Sequence, residues 1–178
     1  LSILVHVDSY QTNPGAKVTV VEFGDFQCPA CAQALPAVDQ MLKQYQNNKD
    51  FNFVFRQFPL NSLHPYAQLA AEASEAAGAQ GKFWQMYDEI YKNQPAWAAS
   101  DSAPVAAFVG FAQGLGLDVN KFQADLANHT YAARVSADLQ DGNAAKVDAT
   151  PTFFVNGQRF VGIPSSDFQN AISAALKQ

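Results

Sequence analysis

The sequence predicts an α/β fold whose sheet is interrupted in the chain by a long all-helical segment. Three observations predict it. Strand-like runs of β-branched and aromatic residues stand at Val18–Phe23 and Phe51–Arg56 and return only at 152–161. Between them, from Ser62 to about Lys146, alanine dominates and the apolar spacing is helical. The first run leads into Cys28-Pro29-Ala30-Cys31, after which Leu35, Val38, Leu42 and Tyr45 recur at helical intervals. Strand, helix and strand in that order form a crossover, with the strands parallel and the helix on the sheet.

Each element has its own justification. Ile3-Leu4-Val5-His6-Val7 reads as a first strand, and Asn13-Pro14-Gly15-Ala16 as a turn. Val18–Phe23 is the central strand. The helix from Cys28 to about Tyr45 contains Pro36, which removes a hydrogen bond and bends it. Gln46–Asp50 is a polar turn, and Phe51–Arg56 alternates as a strand. His64-Pro65 opens a helix to about Gln80, with His64 as its cap. Phe83–Lys92 is a short aromatic helix that Pro95-Ala96-Trp97 breaks. Ser102 caps a helix over Pro104–Gly114, Asp118 caps another over Phe122 and Leu126, and a last one covers about Thr130–Ala145. Thr152–Val155, Asn156-Gly157 and Arg159–Val161 read as a hairpin, because Asn-Gly suits a tight two-residue turn. Ser165 or Asp167 caps a final helix that carries Phe168, Ile172 and Leu176 on one face.

Composition narrows the function. The chain has 178 residues, a net charge of −5 and 48% hydrophobic residues. That suits one domain, or one domain with an insertion, and a substantial core. There is no basic stripe, so nucleic acid is not an expected partner. No apolar run approaches the roughly 20 residues of a membrane span. The chain opens at Leu1 without Met or a leader-like segment. It therefore reads as a trimmed mature fragment, with any signal peptide or anchor upstream.

The chemistry concentrates in one place. The only two cysteines, Cys28 and Cys31, stand two residues apart where a strand turns into a helix. Pro29 suits the first helical position, which makes Cys28 the N-cap. There it faces unpaired N–H groups and the positive end of the helix dipole, and both favour a thiolate. Cys31, one turn on, can reach a disulfide held on Cys28. A dithiol redox site is the leading reading. Half of a zinc site is the alternative, but four ligands are wanted and His6, His64 and His129 show no ligand spacing. A structural disulfide would close too small a loop to stabilise much. Glu22 is an acid inside an apolar strand. Either it points outward at an edge, or it is a part-buried carboxyl that exchanges a proton with Cys31. His64 reads as a cap or packing residue rather than a base. Trp84, Phe83, Tyr87 and Trp97 read as helical core rather than as an aromatic wall for unfolded chains. Pro151 directly precedes a strand and is a candidate cis bond.

Glu22-Phe23 followed by Phe26-Gln27-Cys28-Pro29-Ala30-Cys31, with Pro36 beyond, resembles the thioredoxin superfamily. Thr150–Gly157 resembles that superfamily's cis-proline loop and hairpin. The helical block, with Phe58-Pro59-Leu60 and His64-Pro65, is similar to its DsbA-like branch. The resemblance implies a thioredoxin fold with an inserted helical domain. Residues 1–61 and 147–178 would form the thioredoxin-like part and 62–146 the insert. It implies that Cys28 is the exposed nucleophile, Cys31 the buried resolving thiol and Glu22 the buried acid. Pro151 would be cis, leaving the Thr150 backbone to pair with an extended substrate. Phe26, Pro29 and Ala30 are expected to border that substrate. No cofactor and no metal are expected. The implied partners are unfolded or reduced secreted proteins and a membrane protein that reoxidises the dithiol. The implied setting is a monomer in the bacterial periplasm or cell envelope. A reductase or isomerase is the alternative within enzymes, and a dithiol chaperone or metal-handling module the alternative outside them. Ala30 departs from branch members with His at that position, so backbone N–H groups must supply the thiolate stabilisation.

Overall fold

A computed structural model describes residues 9–178. The strand expected at Ile3–Val7 lies outside the described residues. The chain runs β1 (Tyr10–Gln11), β2 (Val18–Gly24), α1 (Pro29–Tyr45), β3 (Phe51–Gln57), then six helices, then the closing β-hairpin and helix. The six are α2 (Ala67–Gly78), α3 (Phe83–Lys92), α4 (Gln94–Ala98), α5 (Val105–Gly114), α6 (Val119–Ala127) and α7 (Ala132–Ala144). The chain closes with β4 (Thr152–Val155), β5 (Gln158–Val161) and α8 (Ser166–Lys177). The strands lie in the order β1-β3-β2-β4-β5. β2 and β3 are parallel, as the crossover requires, and the other pairs are antiparallel.

Side chains alternate across a strand, so the central sequences dictate two apolar faces. Val18, Val20, Phe51, Phe53, Phe153 and Val155 meet Val38 and Met41 of α1 and Phe168 and Ile172 of α8. Val21, Phe23, Val54 and Phe154 form the opposite face with Phe58 and Val147. A third cluster joins Phe26, Cys28, Cys31, Leu35 and Phe55 to Ala70, Tyr87, Tyr91, Trp97 and Phe108 of the helical block. The sheet end that carries the cysteines and the helices inserted after β3 therefore share one core.

The turn chemistry holds in detail. Asn156 and Gly157 both take positive φ, 46° and 90°, as a type I′ hairpin turn needs. Asp118 accepts from Lys121 N at 2.9 Å to cap α6, and Ser165 caps α8 through Phe168 N. Two starts differ from the sequence reading. α2 begins at Ala67 after Tyr66, not at His64, because residues 61–65 make turns and the His64 ring is drawn to Asp25. α5 is preceded by Pro104, and Ser102 caps nothing there. The proline at Pro95 also does not simply break α3. It opens the five-residue α4, tolerated because a first-turn proline sacrifices no helical bond.

Candidate active site

β2 ends at Gly24, and the turn Asp25–Cys28 delivers the chain to α1. Cys28 is the N-cap in extended conformation (φ −68°, ψ 122°), with Pro29 at the first helical position. The turn is held by three side chains. The buried Asp25 carboxylate accepts from Gln27 N at 2.8 Å, from Leu60 N at 2.9 Å and from His64 Nδ1 at 2.7 Å. Gln27 reaches outward, accepting from Tyr66 N and donating to Ala98 O. Gln94 of α4, itself buried, donates through Nε2 to Phe26 O at 2.7 Å and to Cys28 O at 2.9 Å. The loop is thus fixed from the β3–α2 connection on one side and from the helical block on the other.

The two sulfurs are free thiols in different surroundings. Cys28 is 7% exposed and Cys31 is 1% exposed. The Cys28 thiol is pulled down from 9.0 to about 5. The first cause is the hydrogen bond from the Cys31 S–H. Burial opposes it, and the Thr150 side chain and the backbone N–H groups of Cys31 and Ala30 add to it. Thr150 Oγ1 is buried, and no hydrogen bond of ordinary geometry reaches it. The backbone donors are the groups an N-terminal turn leaves unpaired. Cys31 moves the other way, well above its ordinary value. Burial is the main cause, followed by the hydrogen bond it gives to Cys28 and the charges of Glu22 and Cys28. One sulfur is poised as a thiolate at neutral pH and the other as a thiol.

Two other groups complete the site. The Thr150–Pro151 bond is cis, and Cys28 Sγ lies 3.4 Å from Thr150 O, which brings the β4 entrance against the dithiol across 122 residues of sequence. Glu22 sits mid-sheet on β2, 1% exposed, and accepts from the Tyr87 hydroxyl at 3.1 Å. It points into the core rather than outward at an edge. Burial pushes its carboxyl up to about 8.

The structure brings Glu22, Cys28, Cys31, Thr150 and Pro151 together. Pro29 is exposed and Ala30 half-buried beside them, free to border a substrate. Phe26 requires a correction. It is 1% exposed, with its ring against Phe55, Tyr87 and Tyr91, so its side chain supports the turn from beneath rather than lining the surface. The apolar run around it was the available signal, because Phe26 carries the core pattern of β2 into the turn. His64 also departs from the capping role, and its ring pins Asp25 instead.

Sequence reasoning missed the supporting groups Asp25, Gln94, Tyr87 and Tyr91. It also missed Arg56, fully buried, which donates from Nε to Asp138 at 2.6 Å and from Nη2 to Asp141 at 2.6 Å. A charged residue inside the β3 run was the one visible signal. A cleft of about 680 Å³ lined by Asp39, Lys43, Tyr45, Trp84 and Asp88 contains neither cysteine. Among the described residues no group of three or more His, Cys, Asp or Glu side chains is placed to hold a metal ion. No helix among them is long and apolar enough to cross a membrane.

Comparison with known proteins fits this geometry. The thioredoxin family profile matches residues 6–174. The chain superimposes on a thioredoxin-like oxidoreductase from Silicibacter pomeroyi with a TM-score of 0.79 and 26% identity, covering 97% of this chain and 95% of that one. It superimposes on BdbD from Bacillus subtilis with a TM-score of 0.79 and 25% identity, covering 93% and 91%. The fold also matches alpha-DsbA1 of Wolbachia pipientis, with a TM-score of 0.84 at 17% identity over 99% of this chain and 96% of that one. In sequence, 161 residues are 44% identical to part of the Na(+)/H(+) antiporter NhaA 1 of Salinispora arenicola, covering 90% of this chain and 23% of that protein. The chain spans about a quarter of the length of the curated relatives it matches.

Proposed function

The chain belongs to the thioredoxin family and has the fold of its DsbA-like members, and from that premise we propose that it is a dithiol–disulfide oxidoreductase that gives disulfides to reduced, extracytoplasmic proteins. One observation carries the reading: the two sulfurs of one C-x-x-C are driven in opposite directions, Cys28 to about 5 and Cys31 well above 9.0. In the oxidised protein a substrate thiolate attacks Cys28 Sγ. The substrate–Cys28 bond forms, the Cys28–Cys31 bond breaks, and Cys31 leaves with the electron pair and takes a proton. A second substrate thiolate then attacks the substrate sulfur of the mixed disulfide, and Cys28 leaves as a stabilised thiolate. The substrate is oxidised by two electrons and the dithiol reduced. A membrane oxidant must take those electrons away for turnover. Stabilising the reduced form in this way strengthens the oxidant, which favours donation over reduction or isomerisation. The Cys31 S–H and the backbone N–H groups of Cys31 and Ala30 do this with Ala30 in the motif. Pro29, Ala30 and the Thr150 backbone border the substrate, which lies extended beside β4. The protein acts as a monomer outside the cytoplasm, where disulfides persist. The identity to a stretch of antiporters, proteins of the membrane, favours a site of action at the membrane surface.

The test is equilibrium of the Cys28/Cys31 pair with glutathione. A potential between about −120 and −180 mV is the expected result, and one near about −270 mV would make the protein a reductant. Cys28→Ser should abolish transfer, and surviving transfer would remove Cys28 from the role of nucleophile.

A further inference from the structure

Helix α3 is absent from the chemistry described so far, yet it places two hydroxyls on the side of the sheet that holds the buried acid Glu22. Tyr87 and Tyr91 lie four residues apart and so share a helix face. Their rings meet edge to face at 4.9 Å. Tyr87 donates to Glu22 Oε2 at 3.1 Å. The other carboxyl oxygen, Oε1, is buried without a partner, and so is the Tyr91 hydroxyl. Glu22 and Gly24 point to the same face of β2, since side chains alternate along a strand. Gly24 has no side chain, and the Tyr91 hydroxyl fills the space 3.0 Å from where a Cβ would stand. It therefore lies one strand repeat beyond Glu22, on the side where the chain turns toward the cysteines. The charge of Cys31 acts on both tyrosines. Buried polar atoms are nearly always paired, so two unpaired ones in a single cluster require a reason.

We propose that Tyr87 positions the Glu22 carboxyl and that Tyr91 supplies the free hydroxyl through which the Cys31 proton reaches Glu22 Oε1. The proposal rests on the dithiol–disulfide reading above. When reduced protein resolves a mixed disulfide, Cys31 sulfur attacks Cys28 sulfur. At rest the Tyr91 hydroxyl has no hydrogen-bond partner, so both contacts close only in the mixed disulfide, where the Cys31 S–H proton passes to the Tyr91 oxygen as the Tyr91 O–H proton passes to Glu22. The Cys28–Cys31 bond forms, the Cys28–substrate bond breaks, and the substrate sulfur leaves with that electron pair. The dithiol loses two electrons and the substrate disulfide gains them. In the donating direction Glu22 returns the proton to the leaving Cys31. The titratable groups around Glu22 are Cys31 and, through Tyr87, Asp39 from α1, Tyr87 and Tyr91 from α3, and Asp25 from the turn. The flanking strands place Phe55 and Phe153 opposite it.

The experiment uses reduced protein and an aromatic nitrobenzoate disulfide, which releases one coloured thiol when Cys28 attacks and a second when Cys31 resolves the adduct. Tyr91→Phe should slow the second release at least about a hundredfold, the low end of general acid–base effects, and leave the first release and the Cys28 titration unchanged. Tyr87→Phe should move the pH midpoint of the second release upward, since its hydrogen bond favours the ionised Glu22. Tyr91→Phe should melt no lower than wild type, because it deletes only an unpaired hydroxyl. A wild-type second release and pH profile in both variants would overturn the proposal, and so would equal slowing of both releases. Failure of wild type to give the first release would overturn the dithiol reading itself.

Discussion

Cys31→Ala removes the largest single cause of the low Cys28 pKa while leaving the N-cap geometry in place. The Cys31 S–H hydrogen bond is the first of the causes that hold Cys28 near 5. A hydrogen bond to a charged group contributes about 1.5–3 kcal/mol, and one pKa unit corresponds to about 1.4 kcal/mol. Losing the bond should therefore raise the Cys28 midpoint by about one to two units, to about 6–7. The rest of the depression survives, because Thr150 and the backbone N–H groups of residues 30 and 31 remain. Cys31→Ser keeps an O–H donor at the same place and should titrate close to wild type. Ultraviolet absorbance of the thiolate in reduced protein reads the midpoint, and the pH dependence of alkylation provides a second measure. An unmoved midpoint in Cys31→Ala would refute the assignment of cause. A wild-type midpoint near the ordinary value of 9.0 would refute the thiolate itself.

The other two predictions concern the buried charges. Glu22 binds its proton more tightly folded than unfolded, with values of about 8 and 4.5. Its contribution to stability is thus fully present below pH 4.5 and lost as pH rises through about 8, amounting to about 3 kcal/mol by neutral pH. Glu22→Gln should flatten that slope in urea unfolding followed against pH, and an unchanged slope would mean that the carboxyl is not protonated in the fold. Asp138 accepts from Arg56, Gln57 N and Arg134. Asp138→Ala should cost about 3–5 kcal/mol in denaturant unfolding, the range for stranding one partner of a buried pair, and a loss under about 1 kcal/mol would show that Asp141 alone satisfies Arg56.

Local chemistry was legible in the sequence, and long-range partnership was not. The strands Val18–Phe23 and Phe51–Arg56, the N-cap at Cys28, the Asn156-Gly157 turn and the cap at Asp118 rest on interactions within a few residues. Each is a property of its own segment. Glu22 could be singled out because an acid breaks an apolar pattern, but its partner Tyr87 is 65 residues away. Gln94 and Asp25 carry no pattern at all, since an amide or acid in a turn looks solvated until the fold buries it. Phe26 was misjudged for the opposite reason. Nearness in sequence to the cysteines suggested contact with substrate, whereas its aromatic ring is drawn into the core by burial, which stabilises such a side chain by a few kcal/mol. His64 failed as a cap because a buried carboxylate 39 residues upstream offered it a stronger bond.

The Gln94 amide spans two carbonyls of the turn that carries the reactive sulfur, from a helix 66 residues downstream of Cys28. The inserted helices are therefore a strut for the reactive turn as well as a wall beside it. Exchanging them for those of another member would transplant more than a substrate surface. It would also remove the amide that holds the Cys28 carbonyl, and with it one restraint on the aim of the first-turn N–H groups at the sulfur. An engineer adjusting the redox poise thus has a handle remote from the C-x-x-C, in a segment that a minimal domain drawn around the sheet would discard.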